Sequence, residues 1–255
     1  MMIEFFGLPG SGKSFFLRKF FNNTKFKKKR LINYSQFFFE NYFIVKQKSF
    51  NDEIQSKLYY QYFRYNSLKS NILFKKQYFK LLKHLKYYNF KKYKNFINLY
   101  KKLVNRTIYN KNRKKRLINH FLIDLISYDQ KKNVINDESL IISDEGFYQK
   151  CFMNFKNFSN VIKNRVIDNY IKKIPPIDVA VFINERDQIC FDRARNRKYG
   201  FNYHSDSIDI IRDYKIINLK ILENLKKKRI NTLKINSNKF FKRSVIKLDN
   251  VILKK

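Results

Sequence analysis

Glycine is scarce in this chain, 5 among 255 residues, proline is scarcer at 3, tryptophan is absent, and Ala180 and Ala194 are the only alanines. Between Asn51 and Gln130 there is no glycine or proline at all, so that stretch is not a flexible linker; it lacks the residues that break and turn a chain. Two cysteines, Cys151 and Cys190, cannot build a disulfide framework and show no metal-ligand spacing, which points to buried free thiols in a reducing compartment. His84, His120 and His204 stand far apart and leave no readable zinc site or nucleophilic triad. No apolar run approaches the ~20 residues of a membrane-spanning helix. With its first strand beginning at once, the chain is expected to be a soluble, cytoplasmic protein without a signal peptide.

Acidic residues are the other shortage, with Asp and Glu totalling 20 against 56 Lys and Arg, a formal net charge of +36. AT-rich codons produce this profile of abundant Lys, Asn, Ile, Phe and Tyr, and they account for much of the lysine. They also favour glutamate, so the acid deficit leaves a basic surface that fits either an ordinary solvated face or a polyanionic partner such as nucleic acid. Hydrophobic residues make up 44% and aromatic residues 18%, enough for a sizeable core. The length allows one large α/β domain with an insertion or two smaller domains.

The few glycines are concentrated. Gly7, Gly10 and Gly12 all fall within Gly7-Leu8-Pro9-Gly10-Ser11-Gly12-Lys13-Ser14, which fits the phosphate-binding pattern G-x-x-x-x-G-K-[ST]. Met2 to Phe6 supply a strand before it and Phe15 to Phe21 a helix after it, the order that this motif needs. Such a loop wraps a polyphosphate in backbone N–H groups, and the start of the helix adds the positive end of its dipole, roughly half an elementary charge. The expected nucleotide-binding set is Gly7, Pro9, Gly10, Ser11, Gly12, Lys13, Ser14 and Phe15. Lys13 would reach the β- and γ-phosphates and the Ser14 hydroxyl would ligate Mg²⁺.

Further along, Leu31 to Tyr34 reads as a second strand, and residues 51–130 as three or four helices, with Ile54, Leu58, Tyr62 and Tyr65 on one face and Ile118, Leu122, Leu125 and Ile126 on another. Ser139 to Ser143 reads as a buried strand, and a helix from Val161 to Lys173 is stopped by Pro175-Pro176. Asp178 to Ile183 has the unbroken apolar character of a central parallel strand. Helices over Arg186–Lys198 and Ser207–Lys228 and a strand over Thr232–Ile235 follow; the tail from Asn238 carries no readable pattern. Strands alternating with helices imply a parallel sheet with its ligand crevice at the strands' carboxyl ends. The expected divisions are 1–50 and 136–255 as one α/β core, and 51–135 as a helical insertion that holds the acceptor.

Asp144-Glu145-Gly146 follows the Ser139–Ser143 strand. Asp144 stands where a Mg²⁺-holding carboxylate is needed, and Glu145 is placed to orient or deprotonate an attacking hydroxyl. Arg193 and Arg197 are spaced i, i+4, so on one helix they would share a face and stabilise charge on a transferring phosphoryl group; Arg186 lies earlier and Arg195 on another side. Gly200 fits a hinge or helix cap of a mobile lid.

At these residues the chain resembles the P-loop kinases of the nucleotide-kinase and thymidylate-kinase type: GLPGSGKS after an initial strand, a strand ending in Asp144-Glu145-Gly146, and Val179 to Ile183 followed by an arginine helix, in that order. DEGFYQ, Asp144 to Gln149, is also similar to small ATP-binding kinase-like proteins found among bacterial surface-polysaccharide genes. The first resemblance implies a three-layer fold with a five-stranded parallel sheet, binding of ATP and Mg²⁺, and a lid over the phosphates. Thymidylate kinases usually show Asp-Arg after the third strand, where Glu145 occupies the arginine position, so the acceptor does not carry over. The acceptor expected is a small molecule of nucleotide, nucleoside or sugar type. A nucleic-acid end kinase or ATP-regulated nucleic-acid-binding protein, suggested by Lys111 to Arg116 and Lys86 to Tyr93, and a non-transferring nucleotide switch stay open beside it.

Overall fold

A computed structural model of the chain describes residues 1–23, 31–33, 89–107, 109–134, 140–143, 146–153, 160–196, 208–236 and 241–253. In chain order its elements are β1 (Met2–Gly7), α1 (Lys13–Asn23), β2 (Leu31–Asn33), a 3-10 turn (Lys91–Tyr93) leading into α2 (Lys94–Asn105), and α3 (Lys111–Val134). Then come β3 (Leu140–Ser143), α4 (Phe147–Met153), α5 (Asn160–Lys173), β4 (Val179–Asn184), α6 (Asp187–Arg195), α7 (Ile208–Lys227), β5 (Asn231–Asn236) and α8 (Phe241–Leu253).

The strands form one five-stranded sheet in the order β2-β3-β1-β4-β5, and every pairing is parallel. β1 is central and all six of its residues are buried. Alternation along the strands sends Met2, Phe6, Ala180 and Phe182 to one face and Ile3, Phe5, Val179, Val181 and Ile183 to the other. The second face is covered by α1 through Phe16, Leu17 and Phe20 and by α8 through Val245, Leu248 and Ile252. The first is covered by α2, α3, α4, α5 and α7. These layers are the three-layer α/β fold expected, and α8 supplies the pattern that the tail did not show.

Residues 89–134 share the core of the sheet. Tyr100 stacks on Phe121 with centroids 3.9 Å apart, and Phe96 meets Phe121, Phe147 and Tyr170 at 4.9, 5.9 and 5.1 Å, contacts each contributing about 0.5–1.5 kcal/mol beyond burial. Of the aromatic-basic stretch, Tyr93 donates its hydroxyl to Asp129 at 2.8 Å and packs against this core; Lys86 to Tyr88 and the face of Ile54, Leu58, Tyr62 and Tyr65 lie outside the described residues. On α3, Leu125 and Ile126 are buried, while Ile118 and Leu122 are partly buried against the same core.

Glycine scarcity shows at the end of α7. Ile230 N–H donates to the Leu225 carbonyl at 3.1 Å and Arg229 N–H to that of Lys226 at 2.9 Å, a helix-terminating turn that ordinarily has glycine at its left-handed position. Here Arg229 occupies it, with φ 54°.

Candidate active site

The loop between β1 and α1 is closed by Ser11 N–H donating to the Leu8 carbonyl at 3.1 Å, and α1 begins with Phe16 N–H on the Gly12 carbonyl at 2.8 Å. Gly10 and Gly12 have φ of +77° and +90°, values that β-carbon-bearing residues rarely take. Gly10 is required twice over, since a Cβ there would lie 2.2 Å from the Cys190 carbonyl oxygen of α6. The loop and α6 are therefore in direct backbone contact.

The Lys13 ammonium donates to the carbonyls of Gly7 and Leu8 at 2.9 and 3.1 Å, which folds the side chain over the loop. Ser14 is exposed and Pro9 buried. The Ser11 hydroxyl is buried without a hydrogen-bond partner in the structure, a polar atom inside the loop that suits an anion's oxygens. Phe15, 45% exposed, carries the Lys19 ammonium 4.6 Å from its ring centre. Positive-φ glycines, a helix start, a lysine and an unpartnered hydroxyl make a fitting set for a polyphosphate.

Arg193 reaches this loop. Its Nη1 donates to the Gly10 carbonyl at 3.5 Å and to Glu185 Oε2 at 3.4 Å, so the carboxylate at the end of β4 aims the guanidinium. Arg186 and Arg195 are exposed. α6 ends at Arg195 with Asn196 as its cap, so the described helix does not extend to Arg197, which lies outside the described residues, as do Gly200, Asp144 and Glu145. Register sets Glu4 of β1 beside Ser143, the last residue of β3, and Asp144 follows directly in the chain. Among the described residues no group of three or more His, Cys, Asp or Glu could hold a metal ion, and no helix is long and apolar enough to cross a membrane.

Sequence reasoning missed Glu4 and Gln149. Glu4 is fully buried in β1; its Oε1 accepts the N–H groups of Tyr148 at 2.5 Å and Gln149 at 3.3 Å, and its Oε2 has no hydrogen-bond partner in the structure. Burial pushes the carboxyl up to about 8, outweighing those two N–H donors and the Lys150 charge. Lys150 pairs with Asp124 of α3. Gly146 makes room for the carboxyl, since a Cβ on it would lie 2.4 Å from Glu4 Cδ. Gln149 is itself buried, and its Oε1 accepts the Gly7 N–H at 3.0 Å. The lone Glu within the apolar run Met2 to Phe6 was the available signal. The two cysteines are buried free thiols as expected; burial raises both, Cys190 to about 12, which keeps them unreactive.

A parallel sheet in the order β2-β3-β1-β4-β5, with a loop of the pattern G-x-x-x-x-G-K-[ST] between its central strand and α1, is a P-loop α/β fold. No protein-family model matches the chain and no curated protein matches it in sequence. Among solved structures it is similar to deoxyadenosine kinase from M. mycoides, with the products dCMP and a flexible dCDP bound (TM-score 0.49, 13% identity, 100% of both chains). The same enzyme with bound dATP gives TM-score 0.47 at 14% identity over 99% of both chains. Thymidylate kinase from Candida albicans gives 0.46 at 15% identity over 99% of this chain and 91% of that one.

Proposed function

We propose that this chain is a kinase that moves the γ-phosphoryl group of Mg·ATP to a small acceptor of nucleotide, nucleoside or sugar type. The observation that carries this is the convergence of Arg193 on Gly10: a cation from a separate helix reaches the phosphate loop, where charge develops during transfer and where binding alone would not need it. Lys13 holds the β- and γ-phosphates, and the N–H groups of the loop and of the first turn of α1 cradle them. Ser14 and Asp144 would hold Mg²⁺, which when bound neutralises phosphate charge as transfer proceeds. Glu145 orients the acceptor and, where the acceptor is a hydroxyl of a nucleoside or sugar, takes its proton as the new P–O bond forms and ADP leaves. Arg193, with Arg197, stabilises the phosphoryl oxygens, and residues 51–135 supply the acceptor pocket.

The test is ADP formation from ATP across a library of nucleosides, nucleotides and sugars, with Lys13→Ala as the control. An acceptor that stimulates ADP release at least tenfold over the control is expected; if none does, transfer to a small molecule is refuted.

A polynucleotide end is the alternative acceptor, favoured by the start of α3: Lys111, Lys115 and Arg116 are exposed there, and its first turn holds no acidic residue. Binding to short RNA and DNA that does not weaken with added salt would remove that alternative.

A further inference from the structure

Gly7 is the hinge point between β1 and the phosphate loop, and its two backbone polar groups are taken by different side chains. Its carbonyl accepts from the Lys13 ammonium at 2.9 Å, and its N–H donates to Gln149 Oε1 at 3.0 Å. Gln149 lies outside the loop, on α4, and is 6% exposed. Its own backbone N–H is bound by Glu4, and Glu4 reaches it only because Gly146 lacks a side chain. A continuous set of contacts therefore runs from Gly146, next but one to Asp144, through Glu4 and Gln149 to Gly7 and Lys13.

We infer that Gln149 is a positioning residue for nucleotide binding, fixing the first peptide of the phosphate loop against the segment that follows Asp144. The inference rests on the proposal that the loop binds a nucleoside triphosphate. A neutral acceptor suits this position: it satisfies a buried N–H, whose loss would leave an unpaired donor, and it adds no negative charge beside incoming phosphates. Fixing Gly7 keeps the following N–H groups in the arrangement that an anion needs before the anion arrives, and that arrangement then costs no ordering on binding.

With only 5 glycines in the chain, a sample labelled with ¹⁵N-glycine gives a spectrum simple enough to follow Gly7, Gly10 and Gly12 individually. In the unmodified protein the Gly7 amide is expected to exchange slowly with solvent. In Gln149→Leu its exchange speeds up at least tenfold and Mg·ATP affinity falls about tenfold by calorimetry. Gln149→Glu keeps the acceptor oxygen and retains slow Gly7 exchange. Tyr148→Phe removes a buried hydroxyl that has no partner, retains its backbone donor, and leaves both readouts unchanged. The inference is overturned if Gly7 exchanges rapidly in the unmodified protein, whatever the variants do, or if a folded Gln149→Leu binds Mg·ATP as tightly as the parent. Glycine signals of the unmodified protein that stay unmoved by Mg·ATP refute the nucleotide site itself, an outcome separate from any effect of Gln149.

Discussion

Replacing Glu4 by glutamine is expected to change how the stability of the protein depends on pH. In the folded chain the carboxyl keeps its proton up to about 8, against 4.5 for the unperturbed group. Between those two values the folded state binds one proton more than the unfolded state. Stability therefore falls as pH rises, by about 1.4 kcal/mol per pH unit. The contribution is complete below 4.5 and is lost as pH climbs through about 8; over that window of about 3.5 pH units it amounts to about 5 kcal/mol. Glu4→Gln keeps the oxygen that takes the Tyr148 and Gln149 N–H groups and puts an uncharged amide nitrogen where Oε2 lies unpartnered. With nothing to titrate at this position, the variant loses that part of the slope, and ionisable groups that do not interact with Glu4 cancel in the difference. Urea denaturation of parent and variant, run side by side from about pH 5 to about pH 9, measures it. The variant's advantage should grow steadily across that range and level off at its upper end. A difference constant to within about 0.5 kcal/mol would refute the reasoning, because the carboxyl would then titrate alike in folded and unfolded chains.

Gly10→Ala, which needs a strained φ and drives a methyl into the Cys190 carbonyl, should cost about 3 kcal/mol; a thermal melt within 2 °C or so of the parent would count against the close approach of α6. Arg193→Ala should lower kcat by about 10³-fold in an acceptor-stimulated assay, with Arg193→Lys recovering part of it, and an unchanged kcat would remove the arginine from the chemistry. Arg229→Gly relieves the left-handed residue that ends α7 and is expected to stabilise by about 1 kcal/mol, read as a higher denaturation midpoint. Lys111→Glu puts an acid at the positive end of α3 and four residues before Lys115, for a gain of about 0.5 kcal/mol that should shrink in high salt.

Much of the architecture was legible because two signals are unambiguous in this composition. β4 is apolar on both faces, as a central parallel strand must be, β1 is so except at Glu4, and the glycine loop sits between a strand and a helix. The observed bounds of α5, α6, α7, β4 and β5 differ from the expected ones by a residue or a few. α8 was missed although Val245, Leu248 and Ile252 fall on one face, because interspersed Lys, Arg and Asn are everywhere in this chain and dilute the contrast that marks an amphipathic helix. The glycine loop was legible from its spacing alone. Arg193 was found from its helix, but its contact with Gly10 joins segments 183 residues apart that no spacing rule connects. Glu4 and Gln149 escaped for the same reason: their meeting depends on parallel pairing of β1 with β3, a contact across about 140 residues that exists only once the sheet is formed.

The ring cluster of Phe96, Tyr100, Phe121, Phe147 and Tyr170 bears on how this protein can be re-engineered. Phe147 follows Gly146 immediately, so the short helix that presents Gln149 to the glycine loop rests on rings contributed by α2 and α3. Residues 89–134 are thus not an exchangeable cassette. Replacing this segment between β2 and β3 would strip the floor from α4 and loosen its hold on the Gly7 N–H, unless the replacement brought rings that seat Phe147 in the same way.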